Sequence, residues 1–323
     1  MEQSKLSSGI IFDIQGFSVH DGPGCRTLIF FKGCSLECSW CSNPEGISFF
    51  PEPLYRVSKC TFDGLCMNAC SKGAISSGCN NEVGQLHFDR KFCAQCLTHD
   101  CAKACWSGAL NIGGYEISAG DLYARINRDR QYWGRGGGIT LTGGEPFMQP
   151  EFTFDFLKQC YDNYIHTAVE TCGNVPWENY EKSLPYIDWI FFDLKSMTSV
   201  QLPSTSPPPV RLSACPPVPL ILDNARRIAQ EFPGRLIFRL PVVPGFNDDT
   251  ANISATARFI QSTGRNEINI LPLHHLGREK YNLIGKTYYT EDFIIPSPED
   301  LHEIKQQFSS QGIKCYTGSE TPF

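Results

Sequence analysis

Cysteine carries the chemistry that this sequence offers most plainly. Residues 34–41 read CSLECSWC, a Cys34-x3-Cys38-x2-Cys41 run. Three thiolates this close in one loop can hold three corners of a cubane [4Fe–4S] cluster. No fourth cysteine follows at short range, so the fourth iron is left open to a ligand. The competing chemistry is a zinc knuckle, which would close four ligands around its ion. The triplet by itself leans toward the cluster.

A second group lies downstream, and eight of the 16 cysteines fall within Cys60–Cys105. Cys93, Cys96, Cys101 and Cys105 follow a Cys-x2-Cys-x4-Cys-x3-Cys spacing, slightly longer than the bacterial ferredoxin run. In the earlier stretch CTFDGLCMNAC, Cys60, Cys66 and Cys70 match the same pattern, with Asp63 at its second cysteine position. In two-cluster ferredoxins the fourth cysteine of each run ligates the other cluster. That rule assigns Cys70, Cys93, Cys96 and Cys101 to one cluster, and Cys60, Cys66 and Cys105 to another with one ligand missing. Three cubanes, one of them open, need eleven protein ligands, and the matching cysteines supply ten. Asp63 is the expected eleventh, through a carboxylate oxygen; Cys79 and a three-iron cluster are the alternatives. Structural zinc would also let such a segment fold without a core, but zinc carries no electrons. Cys25, Cys160, Cys172, Cys215 and Cys315 read as packing residues.

The elements that must position these groups follow from composition and pattern. The chain has 323 residues, enough for one large domain or one with a sizeable insertion. With 41% hydrophobic and 19% charged residues, neither disorder nor a coiled coil fits. No run of 18 apolar residues offers a membrane span. The N-terminal MEQSKLSSGIIFDIQG lacks the apolar core of a signal peptide, so the expected location is the cytoplasm. Clustered cysteine in that setting points to metal before disulfides. A formal charge of −6 does not indicate a general nucleic-acid surface.

Residues 8–33 read as a strand and loop, and TLIFF, ending at Lys32-Gly33, reads as a short buried parallel strand. Residues 52–112 show little apolar periodicity and are expected to fold around metal. From about 115 onward helices and strands alternate. Residues 118–133 are a helix capped by Ser118, and GGGITLTGGEP is a strand running into a glycine loop. Helices are expected over 151–163, before DWIFFDLK, and over 221–232, 251–263 and 298–312. Strands are expected at HTAVETCG, DWIFFDLK, LIFRLPVVPG and EINILPLHHLG. Such alternation predicts a parallel α/β barrel or open sheet. Residues 202–219 (LPSTSPPPVRLSACPPVP) read as a proline-rich loop or linker.

The segment IQGFSVHDGPGCRTLIFFKGCSLECSWCSNPEG resembles the radical S-adenosylmethionine (SAM) enzymes that activate glycyl radical enzymes. It is most similar to the activating enzymes of 4-hydroxyphenylacetate decarboxylase. The resemblance covers nearly the whole chain. It implies an α/β fold: a partial parallel (β/α)6 barrel with an inserted ferredoxin-like two-cluster domain. The barrel would begin in residues 1–51, be interrupted by 52–112 and resume over 113–323. It implies SAM and three [4Fe–4S] clusters, with the open iron of the Cys34–Cys38–Cys41 cluster binding the amino and carboxylate groups of SAM. Trp40, Cys41 and Ser42 match the loop that backs the adenine. TGGEP supplies Gly143, Gly144 and Glu145, whose glycines would let backbone approach the methionyl ammonium. Glu170, Thr171 and Gly173 end one strand, and Asp193, Leu194 and Lys195 end another, where parallel α/β folds collect ligand groups. Arg239 and His274 match later stations, and His20 and Asp21 match the opening motif. Read in isolation, TGGEP is a tight turn, Asp193–Lys195 a surface ion pair and His274 a structural histidine.

The implied partner is a glycyl radical enzyme, an arylacetate decarboxylase first. Choline, glycerol, hydroxyproline and isethionate lyases are the alternatives. A flavodoxin or ferredoxin would donate electrons to a monomeric enzyme that binds neither nucleic acid nor membrane. A small-molecule radical SAM enzyme, similar to 7-carboxy-7-deazaguanine synthase, would not need the VHDGPG opening or the two-cluster insertion. A ferredoxin-like electron carrier would not need the GGE, DLK and HLG stations. The family carries a helical stretch after DLK, where this chain has the proline-rich 202–219.

Overall fold

The computed structural model describes residues 6–77, 85–197 and 218–318. Its strands, in chain order, are β1 (Ser8–Ser18), β2 (Arg26–Phe31), β3 (Glu52–Tyr55), β4 (Ile75–Ser77), β5 (Leu86–Phe88), β6 (Leu110–Gly113), β7 (Tyr115–Ser118), β8 (Gly138–Gly143), β9 (His166–Thr171), β10 (Trp189–Asp193), β11 (Arg235–Val242), β12 (Glu267–Pro272) and β13 (Lys314–Thr317). Nine form one sheet, ordered β13-β12-β11-β10-β9-β8-β2-β1-β7. From β2 to β13 each neighbouring pair is parallel. β1 and β7 join the other edge antiparallel. The expected six parallel strands are therefore seven, and the sheet is extended by two antiparallel strands. β1 opens the stretch read as a strand and loop, and its alternation is broken by bulges around Phe12 and between Gln15 and Ser18. β13 is only four residues long.

The helices lie where apolar periodicity places them. Ala119–Ile126 starts at Ser118, whose side chain accepts from Asp121 N. Thr250–Ser262 is capped by Asp249, and Pro298–Ser310 carries a Ser297/Asp300 capping box. Pro150–Asp162 and Val218–Glu231 complete the main set among the described residues. Before β10 the expected helix is reduced to Glu178–Glu181 and a tight turn at Leu184–Tyr186. Pro185 explains this, since it cannot donate to a continuing helix. Of the proline-rich stretch, 202–217 lie outside the described residues, and Val218 already begins a helix. Among the described residues, no helix is long and apolar enough to cross a membrane.

β2 is buried along its whole length. Its first residue, Arg26, is fully buried, and desolvation lowers its pKa to about 10. The guanidinium ties three segments together, donating to Thr140 Oγ1 (2.7 Å), to Pro23 O (2.9 Å) and to Ile139 O.

Residues 52–113 lie outside the nine-stranded sheet and are closed at their base by one antiparallel pair, β3 with β6, in which Glu52 faces Gly113 and Tyr55 faces Leu110. Between them, among the described residues, lie the antiparallel β4–β5 pair and three short α-helices. A small apolar cluster includes Tyr55, Ile75, Ala109 and Leu110 together with Cys66 and Cys101. Glu52 accepts from Lys32 Nζ (3.4 Å) on the β2 side and from Arg90 Nη1 (2.9 Å) within the segment.

At Gly138 a Cβ would stand 2.0 Å from His166 O, the backbone of the neighbouring strand. Gly138→Ala must open the start of the β8–β9 pair, and is expected to cost about 1–3 kcal/mol or more. A denaturation midpoint equal to wild type would contradict this packing.

Candidate active site

The C-terminal ends of β8 to β12 open on one cavity of about 340 Å³. Cys34, Cys38 and Cys41 line it together with charged groups from three strand ends: Glu170, Asp193 with Lys195, and Arg239. The sequence-derived stations are thus gathered from the thiol loop and five strand ends, spread over more than 200 residues.

The charges form one network. Arg239 donates through Nη1 to Glu170 Oε1 (2.6 Å) and through Nε to Asp193 Oδ1 (2.9 Å). Lys195 Nζ donates to Asp193 Oδ2 (2.9 Å), and Thr142 Oγ1 to Glu170 Oε2 (2.6 Å). All four ionic groups are largely buried. The isolated-pair reading of Asp193 and Lys195, a solvated surface ion pair, does not hold here. Burial opposes the Arg239 charge, but Asp193 and Glu170 outweigh it and hold its pKa above the ordinary value. Burial likewise opposes Lys195, and Asp193 with the Cys38 thiol reverses the effect. Burial acts on Asp193 too, yet Arg239 and Lys195 keep its carboxyl below the usual range. Burial pushes Glu170 up, and Arg239 offsets this only in part.

The thiol loop is held at both ends. Gly33 N donates to Gly46 O (2.8 Å) and Cys34 N to Ile47 O (3.1 Å). Lys280 Nζ reaches Asn43 Oδ1 and Glu45 Oε1, both at 2.8 Å. Tyr281 Oη donates to the carbonyls of Cys38 and Ser39 at 3.3 Å. Burial pushes the Cys38 thiol up to about 11 and the Cys41 thiol to about 12. Cys34 is lowered, first by a hydrogen bond from Cys172. Cys172 is thus a wall of this cavity beside Cys34, not the packing residue expected from sequence. Cys160 and Cys315 are buried in the core, Cys25 is partly exposed, and Cys79 and Cys215 lie outside the described residues.

Trp40 lines the cavity with its ring against Phe246, centroids 4.9 Å apart, beside Val243 and Leu273. Ser42 Oγ and His274 Nε2 are 3.5 Å apart at the rim. His275 turns away to Tyr288 Oη and Phe293 O. Asp21 lines the cavity, whereas His20 is exposed in the preceding turn. Gly143 and Gly144 line it too, for a reason beyond ligand access. A Cβ on Gly144 would stand 2.4 Å from Gly33 O and 2.7 Å from Gly46 O, both anchors of the thiol loop.

Two expected stations are not on the wall. Glu145 is fully buried, and its carboxylate accepts from Cys172 N (2.7 Å), Thr171 Oγ1 (2.9 Å) and Phe147 N (3.2 Å). It braces the turn after β9. Leu194 is buried in the core, and its amide donates to Arg239 O. Thr171 points to Glu145 and Tyr180, and Gly173 takes φ +77°. Thr142, Cys172, Lys280 and Tyr281 were missed because each acts through a fold contact, with no motif of its own.

The inserted segment sorts its cysteines into two neighbourhoods. Cys60, Cys66 and Cys105 line a second cavity, of about 500 Å³, with Asp63 on its wall. Cys101 has Cys70, Cys93 and Cys96 as its thiol neighbours, and burial pushes its own thiol up to about 11. Backbone amides are aimed at the sulfurs: Phe62 N at Cys60 Sγ (3.4 Å), Ala74 N at Cys70 Sγ (3.3 Å), Leu110 N at Cys105 Sγ (3.3 Å) and Leu36 N at Cys34 Sγ (3.5 Å). Such donors suit anionic sulfur of the kind that ligates iron. Among the described residues, no three His, Cys, Asp or Glu side chains converge where a single metal ion would sit. Asp63 Oδ1 accepts from Leu65 N (3.0 Å) and Oδ2 from Thr61 Oγ1 (2.9 Å), each oxygen keeping a second lone pair.

The profile described as Radical SAM superfamily matches residues 91–255, beginning downstream of the thiol loop. The indoleacetate decarboxylase activating enzyme of Tractidigestivibacter scatoligenes is 37% identical, over 97% of this chain and 98% of that protein. The chain belongs to the radical SAM superfamily. The 4-hydroxyphenylacetate decarboxylase activating enzyme of Clostridioides difficile (strain CD196) is 36% identical over the full length of both chains. The isethionate sulfite-lyase activating enzyme of Desulfovibrio desulfuricans is 39% identical over 86% of this chain and 87% of that protein. A radical SAM protein takes SAM and a [4Fe–4S] cluster. The residues present fit both: three thiols in one loop, sulfur-directed amides and paired charges share one cavity.

Arg239→Met leaves Asp193 and Glu170 as buried carboxylates with only Lys195 to answer them. Removing one partner of a buried ion pair costs about 3–5 kcal/mol. Glu170, already raised by burial, takes a proton first. Its folded pKa then lies above the unfolded one, so the cost is full above the folded pKa and is relieved as pH falls through it. Arg239→Met is expected to be destabilised at about pH 8 and to recover part of the loss toward about pH 5–6. The double variant Arg239→Met/Glu170→Gln is expected to show less of this dependence. Denaturation across that range checks it, and a pH-independent deficit argues against the network.

Proposed function

We propose that this radical SAM protein activates a glycyl radical enzyme, and that its partner is an arylacetate decarboxylase. The observation that carries this is the end-to-end match to two decarboxylase activating enzymes, at 97–100% of the chain. The isethionate relative spans less of it, at 86%.

Cys34, Cys38 and Cys41 hold the SAM cluster. A cluster bound there would supply the one electron for reductive cleavage of SAM, and the 5′-deoxyadenosyl radical so released would take a hydrogen atom from a backbone glycine of the partner. Every other task falls to the chain. Lys195 offers a cation to the carboxylate of SAM, and Asp193 and Glu170 offer acceptors to its ammonium and ribose hydroxyls. Arg239 pairs with both carboxylates and fixes their positions. Trp40, Ser42 and His274 flank the adenine. Gly143 and Gly144 keep the loop anchors close, and Glu145 and Leu194 serve SAM from behind by bracing the strand ends.

Residues 52–112 form a ferredoxin-like unit between the two parts of the barrel, 1–51 and 113–323. Cys70, Cys93, Cys96 and Cys101 hold one auxiliary [4Fe–4S] cluster. Cys60, Cys66 and Cys105 hold the other, with Asp63 as its fourth ligand. A flavodoxin or ferredoxin supplies the electrons, and the enzyme acts as a cytoplasmic monomer.

Anaerobic incubation with SAM, reductant and a glycyl radical arylacetate decarboxylase is expected to give 5′-deoxyadenosine and a glycine-centred EPR doublet on the partner. SAM cleavage that never radicalises the partner would overturn the partner assignment. Loss of the three loop thiols should abolish 5′-deoxyadenosine. Asp63→Ala is expected to alter the EPR signal of one auxiliary cluster and leave the other unchanged; an untouched spectrum and iron content remove Asp63 from the ligand set.

A further inference from the structure

We infer that Tyr55 donates its phenolic hydrogen to the auxiliary cluster at Cys60, Cys66 and Cys105, and so sets that cluster's potential apart from its neighbour's. The inference rests on reading the insertion as a two-cluster unit.

Tyr55 ends β3 opposite Leu110 on β6. That register matters, because the amide of Leu110 is the one aimed at Cys105 Sγ. From the other side the chain turns once through Val57–Lys59, and Cys60 N donates back to Val57 O (2.9 Å). Tyr55 is therefore fixed between the backbone that presents Cys105 and the turn that presents Cys60. Its ring is locked against Phe88, with centroids 5.3 Å apart and planes at 53°.

The side chain is 7% exposed and lines the 500 Å³ cavity with the three thiols. Its Oη is a buried polar atom with no hydrogen-bond partner. Buried hydroxyls normally have one, and phenylalanine would fill the same apolar cluster without the cost of desolvating an oxygen. Packing therefore accounts for the ring and not for the hydroxyl. The groups beside the hydroxyl are Cys60, Cys66 and the backbone amide of Leu86, which can only donate and leaves the phenolic hydrogen to the sulfurs. A phenol is a donor, and sulfur anions on a cluster are acceptors. Hydrogen bonds to cluster sulfur stabilise the more negative reduced state and raise the potential. The second neighbourhood, Cys70, Cys93, Cys96 and Cys101, has no tyrosine among the charged neighbours of Cys93 or Cys101.

The test uses the anaerobically reconstituted full chain. In Tyr55→Phe, EPR-monitored redox titration is expected to show one auxiliary cluster shifted negative, by on the order of a tenfold change in the reduction equilibrium, about 59 mV for one electron. The other auxiliary cluster and the SAM cluster serve as internal references. A second measurement needs no variant. After brief transfer of wild type to D2O, a hydroxyl proton exchanges before buried amides do, and electron–nuclear double resonance should find one such fast proton coupled to the reduced cluster. Unchanged potentials in Tyr55→Phe, or no fast-exchanging coupled proton in wild type, overturn the role of Tyr55. Wild type holding only about four iron atoms per chain, instead of about twelve, removes the two-cluster reading and this inference with it.

Discussion

Arg239 stands between two carboxylates that would otherwise face each other in a buried cavity. Its forked guanidinium can answer both at once, which a lysine's point charge could not do with the same geometry. The consequence spreads outward. Asp193 stays ionised and can hold Lys195, and Lys195 in turn places a positive charge toward the thiols. The ends of β9, β10 and β11 are thereby pinned at one spacing, and the cavity is an opening between strand ends whose separation the ion network fixes.

Much of this was legible from residue types and spacing. Strands in a parallel sheet are continuous apolar runs, and each of β2, β8, β9, β10, β11 and β12 could be found that way. Ser118 marks its helix start through side-chain chemistry that depends on a few adjacent residues only, and the structure adds Asp249 and Ser297 as caps of the same kind. The charged stations were readable because each sits at a strand's C-terminal end. Less was legible where a role depends on a contact across the fold. Glu145 belongs to a ligand-like motif, yet its carboxylate faces inward to Cys172 and Thr171. Cys172 resembles any buried cysteine in sequence and gains its position only because the turn after β9 folds back beside Cys34. β1 pairs with β2 across two register shifts, and β7 is an edge strand of only four residues, so no simple period announces the antiparallel edge.

The inserted segment presents a different balance. Its apolar cluster is small, and two of its six fully buried members are cysteines from the spacing patterns. A unit with so little hydrocarbon to bury needs some other source of order, and metal ligation is the ordinary one in segments of this size. The amides directed at Cys60, Cys70 and Cys105 Sγ are built into turns, so the donors are in place as soon as the backbone is.

The β3–β6 pair has a bearing on ancestry. Residues directly opposed in an antiparallel ladder lie about 5 Å apart. The inserted segment thus begins at Glu52 and ends at Gly113 at almost the same point in space. Whatever hangs beyond that stem can be lengthened, replaced or deleted without moving the strands that feed it. A shorter cousin lacking the whole appendage would need only a tight hairpin at this spot, and a graft of foreign electron-carrying modules onto the same stem should leave the parent sheet intact.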